Sequence, residues 1–92
     1  MVRSYDEEIL KHLRPNMALG YLSKESADLI RESLAKRGMK LNFLYKLAGI
    51  SNYQVFASIF HRRVMCSVEN LIGLASATGL KVSDFKLNDE KG

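Results

Sequence analysis

Three side chains of this 92-residue chain, His12, His61 and Cys66, belong to the types that most often act as acid, base or nucleophile. The histidines lie on different predicted helices, and no "H-E-x-x-H" pair, second cysteine or glycine-rich phosphate loop accompanies them. Cys66 precedes a predicted helix, whose positive end would suit a redox-active thiolate, but a small buried filler is the commoner role of such a cysteine. We therefore predict no enzyme, no metal site and no cofactor.

Positive charge is concentrated in the middle of the chain. The net charge is +4, yet no acidic residue occurs between Glu32 and Glu69. Six basic residues occupy that stretch: Lys36, Arg37, Lys40, Lys46, Arg62 and Arg63. Such a local excess suits a polyanion, although a solvated lysine-rich face accounts for it equally well.

The composition is that of an ordinary globular chain, 47% hydrophobic and 26% charged. No apolar run approaches the ~20 residues of a membrane span. A single cysteine excludes an internal disulfide framework. We expect one small cytoplasmic protein with no membrane partner.

Glycines and capping residues divide the chain into short helices. The expected helix starts are Ser4, Ser23, Leu41, Ser51 and Ser67, and the expected stops are Gly38, Gly49 and Gly79. Ser4 with Glu7, and Ser51 with Gln54, have the spacing of a capping box. Each helix therefore has at least one end marked in the sequence.

The absence of strongly alternating segments disfavours a β fold, so we predict an all-α protein. Residues 23–87 should form a compact bundle of about five helices, preceded by an N-terminal helical extension, 1–22, and followed by a tail, 88–92. Apolar spacing and neighbours assign these residues to the core: Leu41, Leu44, Leu47, Ala48, Phe43, Phe56, Phe60 and Phe85. Core packing of the aromatic residues is favoured over a base-stacking surface for single strands.

The most informative feature is the link between the third and fourth predicted helices. Only Gly49, Ile50 and Ser51 separate the apolar stripe that ends at Ala48 from the helix that starts near Asn52. A glycine that tolerates positive φ, then an apolar plug, then a capping residue joins two short helices at a steep angle. The pattern is typical of a helix-turn-helix, and the acid-free segment encloses it.

Around this motif the chain resembles a known family. The matching pieces are "LIRESLAKRGM" (29–39), "LYKLAGIS" (44–51) and "SVENLIGLASATGLKVSDF" (67–85). In their order and spacing, residues 27–86 resemble the Cro and phage-repressor type of helix-turn-helix domain, the XRE-like group of bacterial and phage regulators. The resemblance implies a helical bundle, sequence-specific binding to duplex DNA, and a dimer on an inverted-repeat operator.

The register of the fourth helix decides which side chains face outward. This chain departs from the family at Tyr45, where alanine is frequent, and the spacing from Gly49 to "CSVENL" is one residue longer. The unshifted alignment would bury Ser58 and expose Phe56, which is unfavourable on both counts. A slip of one residue buries Phe56 and Ile59 instead, and we adopt it.

With that register, the predicted base-contacting residues are Tyr53, Gln54, Val55, Ser58 and His61. Gln54 can pair with adenine, and a partly exposed Val55 can meet a thymine methyl group. The predicted phosphate-binding residues are Lys40, Lys46, Asn52, Arg62 and Arg63. Two alternatives stay open: Gln54 only completes the cap with Ser51, or His61 is solvated or faces a phosphate.

These features lead to a first hypothesis of a DNA-binding transcriptional regulator, a repressor from a bacterium, phage or mobile element. An antitoxin of the same fold is a close variant. The alternative class is a protein-interaction module, such as an antirepressor, which Tyr45 and the apolar "VFASIF" stretch (55–60) keep open. The DNA binder needs its cations on one surface with the fourth helix, whereas the interaction module would expose a contiguous apolar patch there.

The first 22 residues are rich in apolar side chains, Ile9, Leu10 and Leu13 above all. They could thicken the core, form a dimer contact, or receive a regulatory protein partner. We predict a homodimer that uses this segment or the C-terminal turn.

Overall fold

Helices and very short strands both occur in the computed structural model, which describes residues 2–90. The helices are α1 (Glu7–Lys11), α2 (Lys24–Lys36), α3 (Leu44–Leu47), α4 (Tyr53–Phe60) and α5 (Val68–Thr78). The strands are β1 (Val2–Arg3), β2 (Ala18–Leu22), β3 (Cys66–Ser67) and β4 (Leu87–Asn88). Two 3₁₀ turns, Leu41–Phe43 and Val82–Asp84, complete the described elements.

The predicted all-α class is wrong, because the strands form an antiparallel sheet in the order β1-β4-β2-β3. Three of them are two residues long, too short to show alternation, and the five residues of β2 do not alternate between buried and exposed positions. Gly20, expected in a connector, lies within β2 with φ 149°. A Cβ there would lie 2.8 Å from the carbonyl oxygen of Asn88, so glycine permits the close approach of β4.

The sheet joins the two ends of the described chain. Val2 and Tyr21 both pair with Asn88, and Leu22 pairs with Leu87. Strands β1 and β2 of the predicted N-terminal extension, 1–22, therefore pair with β4, residues 87–88, so the sheet crosses both predicted domain boundaries. The division into domains stays a prediction. Lys91 and Gly92 of the predicted tail lie outside the described residues.

A buried serine fastens α2 to the residue before β4. The Ser26 hydroxyl accepts a hydrogen bond from the Lys86 backbone N–H at 2.6 Å and lies 3.2 Å from the Lys86 carbonyl oxygen, to which it can donate. Ser23, the N-cap of α2, adds a hydroxyl contact to Ser26 at 2.9 Å. The C-terminal segment is thus held to the body of the protein by paired polar groups as well as by the sheet.

Two of the four predicted serine caps are confirmed and two are wrong. Ser23 and Ser67 cap α2 and α5. In place of Ser4, Asp6 caps α1 by accepting a hydrogen bond from the Ile9 N–H. In place of Ser51, Asn52 caps α4. Asp and Asn are at least as good as Ser at this position, so the later residue sets the start of each helix.

The core is built on buried aromatic and aliphatic side chains from every helix, among them Leu10, Ile30, Leu44, Phe56, Phe60, Leu71, Leu74 and Phe85. Phe43 and Leu47, both predicted inside, are instead 50% and 58% exposed. The predicted continuous helix is a 3₁₀ turn followed by one α-helical turn, and the two have different angular steps per residue. Leu44 and Ala48 face the core, which leaves Phe43 and Leu47 outside.

Candidate nucleic-acid interface

The turn between α3 and α4 has the conformation that its sequence predicts. Gly49 has φ 75°, and the N–H of Ile50 donates to the carbonyl of Tyr45 at 2.9 Å, which closes the end of α3. Ile50 is buried beneath the turn at 5% exposure. Asn52 then starts α4 by accepting a hydrogen bond from the Val55 N–H at 2.9 Å. The predicted sequence of a positive-φ glycine, a buried isoleucine and a capped helix is therefore present, with Asn52 and not Ser51 as the cap.

Helix α5 packs against α3, the first helix of this pair. Gly73 lies at the contact between α5 and the end of α3, and a Cβ on it would overlap the carbonyl oxygen of Ala48. Because that neighbour is backbone, it cannot rotate away as a side chain could. The position of α3, and with it the turn into α4, thus depends on a glycine that sequence reasoning had not singled out.

The buried face of α4 agrees with the slipped register. Phe56 and Ile59 are each 1% exposed and Phe60 is 2% exposed. At ~100° per residue, the direction opposite these three carries Gln54, Ser58 and His61. Gln54 and His61 are exposed, and Ser58 is half-buried. Burial therefore fixes which face is free, while DNA contact by that face stays a prediction.

The cap of α4 bears on the role of Gln54. The alternative to base contact is that Gln54 only completes a capping box with Ser51, but the oxygen that caps α4 belongs to Asn52. Within residues 2–90 the Gln54 side chain makes no hydrogen bond. Its amide is therefore free to bind a ligand on the exposed face. Asn52, predicted to contact phosphate, has its side-chain oxygen engaged by the helix.

Tyr53 and Val55 lie at the two edges of the exposed face. Val55 is 36% exposed and Tyr53 is 41% exposed. The Tyr53 ring stands edge-on to Tyr45 of α3, with centroids 6.1 Å apart. The tyrosine that departs from the family pattern thus packs across the motif and helps to hold α3 against α4.

Basic residues precede and follow α4, and all but the half-buried Arg62 are exposed. A groove between α3 and α4 is lined by Asn42, Phe43, Tyr45, Lys46 and Tyr53, and Lys40 lines the adjoining groove with Lys46. At the other end, Arg62 and Arg63 leave the helix immediately after His61. Lys46 is therefore brought near the start of α4, with Lys40 in the groove beside it, and the two arginines lie near the end of α4, about 12 Å from its start at 1.5 Å per residue.

The end of α4 contains a strained arginine. The N–H of Arg62 donates to the Ile59 carbonyl at 3.1 Å and that of Arg63 to the Ser58 carbonyl at 2.8 Å, a hydrogen-bond pattern that usually has glycine at the left-handed position. Here Arg62 occupies it with φ 62°. A side chain in this conformation costs about 1–2 kcal/mol, so Arg62 destabilises this turn.

His61 lies between the exposed face and these arginines. It is the C-cap residue of α4, and its ring stands edge-on to that of Phe60 with centroids 5.4 Å apart. The ring therefore rests on the core edge while remaining exposed. Base contact and phosphate contact both stay open for it.

Cys66 is a buried residue of β3 with no exposed surface. Burial raises the pKa of its thiol to about 12 because the thiolate would be desolvated. The thiol stays protonated at neutral pH, so packing is favoured over the redox-sensing alternative. In the described part of the chain no three His, Cys, Asp or Glu side chains cluster as metal ligands, and no helix there has the length and apolar character to cross a membrane.

Searches against protein-family models, curated proteins and solved structures find no match for this chain. The resemblance of residues 27–86 to XRE-like domains therefore rests on the sequence pattern alone.

Proposed function

We propose that the protein is a sequence-specific duplex DNA-binding regulator, a transcriptional repressor from a bacterium, phage or mobile element, with α4 in the major groove. The observation that carries the proposal is the exposed polar face of α4, which has basic residues near both of its ends. Gln54 and His61 on that face are exposed, Arg62 and Arg63 follow it, and Lys46 lies near its start. No acidic residue occurs in this part of the chain to repel phosphate.

Different residues of the site would contact bases and phosphates. Gln54, in the first turn of α4, has a free amide that can pair with adenine, and the exposed Val55 can contact a thymine methyl group. Tyr53, Ser58 and His61 border them and complete the base-contacting set. Lys40, Lys46, Asn52, Arg62 and Arg63 supply phosphate contacts, which give affinity and orientation but no sequence preference.

One observation favours a second candidate function, a protein-interaction module. Phe43 and Leu47 are exposed on the helix-turn-helix, where a DNA-binding surface alone requires no large apolar side chains. They lie beside Lys40 and Lys46, so the apolar patch and part of the predicted phosphate surface adjoin. The two functions can therefore coexist in one molecule.

Replacement of Gln54 by alanine is expected to weaken binding to the preferred site by about 1–3 kcal/mol. Binding to unrelated duplexes should change little, because the lost contact is to a base. Thermal stability should also be unchanged, because Asn52 provides the cap. The preferred site is found by selection from random duplexes, and the variant is compared by its binding-site profile and melting temperature.

Asn52→Ala is the control for Gln54→Ala, because it removes the cap of α4 and leaves the Gln54 side chain in place. Loss of the cap should lower the free energy of unfolding by about 1 kcal/mol while the sequence preference is kept. If Gln54→Ala leaves the binding-site profile unchanged and only lowers stability, the proposed register of α4 on DNA is wrong.

A homodimer on DNA is the expected assembly. Leu10 is buried in the protein's own core at 1% exposure, so of the predicted N-terminal contact residues Ile9, 48% exposed, is the one left most available. Sedimentation should show two 10.4 kDa chains bound to each selected duplex. Ile9→Ser should shift the protein from dimer toward monomer. Selected sites should be inverted repeats with half-sites about 10 base pairs apart. A monomer both free and on DNA would contradict this assembly.

A further inference from the structure

Two large apolar side chains are exposed beside each other just before the turn into α4. Phe43 is 50% exposed and Leu47 is 58% exposed, and they lie four positions apart, on the same side of a helical turn. Together with Met39 they line a shallow, mainly apolar groove of about 490 Å³. Lys40 and Lys46 line the same groove and are both exposed. We call these five residues the 39–47 groove.

We propose that the 39–47 groove binds an acidic amphipathic helix of a partner protein. Such a helix has apolar residues at i, i+3 or i+4 and i+7, which fit a groove with two apolar positions one turn apart. Its acidic residues would meet Lys40 and Lys46. Charge complementarity is favourable because the chain has no acidic residue between Glu32 and Glu69.

A second copy of the protein fits this groove less well. Pairing the groove with itself would bring Lys40 and Lys46 of both copies together, with no carboxylate nearby in sequence to neutralise them. Like charges placed together at an interface oppose association. The occupant should therefore be a protein of opposite charge.

Single-stranded nucleic acid is also a weaker fit than an acidic helix. Leu47, the more exposed of the pair, has no ring on which a base could stack. The Lys46 ammonium already lies 5.8 Å from the centroid of the Phe43 ring and 6.0 Å from that of Tyr45. An aliphatic anchor beside a cation suits the leucine and carboxylate side chains of a helix better than a nucleobase.

Binding of an acidic helix has a consequence for DNA. Lys40 and Lys46 belong to the proposed phosphate-binding set, so the helix and duplex DNA should compete for them. A partner of this chemistry would release the protein from DNA, as an antirepressor does. This competition rests on the proposed function, whereas the docking itself does not.

The test uses a labelled synthetic helical peptide with leucine at i, i+4, i+7 and i+11 and glutamate at the exposed positions. A control peptide has lysine in place of each glutamate. Fluorescence anisotropy should show that the full chain binds the acidic peptide at least tenfold more tightly than the basic one. Leu47→Ser and Phe43→Ser should each weaken acidic-peptide binding at least tenfold. Both side chains are half exposed, so these variants should stay folded, as circular dichroism will verify.

Met17→Ser is the matched control, because Met17 is 47% exposed and lies outside the groove. It should leave peptide binding unchanged. Equal binding of the two peptides, or no effect of Leu47→Ser, would overturn the proposal. So would tight binding of oligo-dT that Phe43→Ser abolishes, or a dimer that Leu47→Ser dissociates, because each names a different occupant.

Duplex DNA binding is measured on the same proteins. Acidic-peptide binding without duplex binding would reject the proposed function and leave the docking intact. Duplex binding without acidic-peptide binding would reject the docking and leave the proposed function intact. If both occur, addition of the acidic peptide should release the duplex, and simultaneous binding would contradict the competition.

Discussion

Gly73→Ala should lower the free energy of unfolding by about 2–3 kcal/mol, although alanine is the better helix former. The added Cβ would overlap the Ala48 carbonyl oxygen, so either α5 or the end of α3 must move. Ala48 also leads directly into the turn before α4. We therefore expect weaker duplex binding along with the loss of stability, which urea unfolding will measure.

Ser76→Ala is the control for this change, because Ser76 is an exposed residue of the same helix. It should leave the free energy of unfolding unchanged or slightly raised by helix propensity. If Gly73→Ala is as stable as Ser76→Ala, α3 does not pack against α5 as closely as the structure has it.

Removal of the two arginines after α4 should weaken binding to every duplex by about 60-fold near 0.1 M salt. Each phosphate contact contributes about 0.9 to the salt exponent, so two lost contacts flatten the log–log slope by roughly two units. The variant we choose is Arg62→Gly with Arg63→Ala. Arg62 has φ 62°, which glycine adopts without strain, so the protein should keep its stability or gain about 0.5–1 kcal/mol.

If the variant loses affinity while its stability is unchanged or higher, the loss comes from the missing phosphate contacts and not from unfolding. Lys24→Ala with Lys86→Ala removes two exposed charges outside the acid-free segment and should change affinity much less. A loss restricted to one base position would contradict the phosphate role of the arginines. A loss equal to that of the lysine pair would show that only net charge matters.

The glycine turn after α3 and the buried face of α4 were predictable because their signals are local and strong. Gly49 at the turn and the Phe56–Ile59–Phe60 face leave few alternative arrangements for α4. Ser67 and Gly79 likewise mark both ends of α5. In each case a glycine with positive φ marks the end of a helix, or a large apolar face shows which side of the helix is buried.

The sheet and the outer face of α3 could not be predicted from the same signals. A strand such as β4, Leu87–Asn88, is defined by partners distant in sequence and not by its own two residues. Leu47 shares the helical spacing of core residues, but α3 buries the direction of Leu44 and Ala48, and Leu47 lies about 80° from that direction at ~100° per residue. Gly73 was missed because a glycine inside an apolar helix shows no sign of the backbone it meets.

The most direct test of the central claim, duplex DNA binding through α4 and its flanking cations, is a salt series on the unmodified protein. Anisotropy of a labelled random-sequence duplex is measured as salt rises. With about four to six phosphate contacts per protomer, the log–log slope should lie near −4 to −5 per protomer. The absence of duplex binding at low salt, or a slope close to zero, would contradict it.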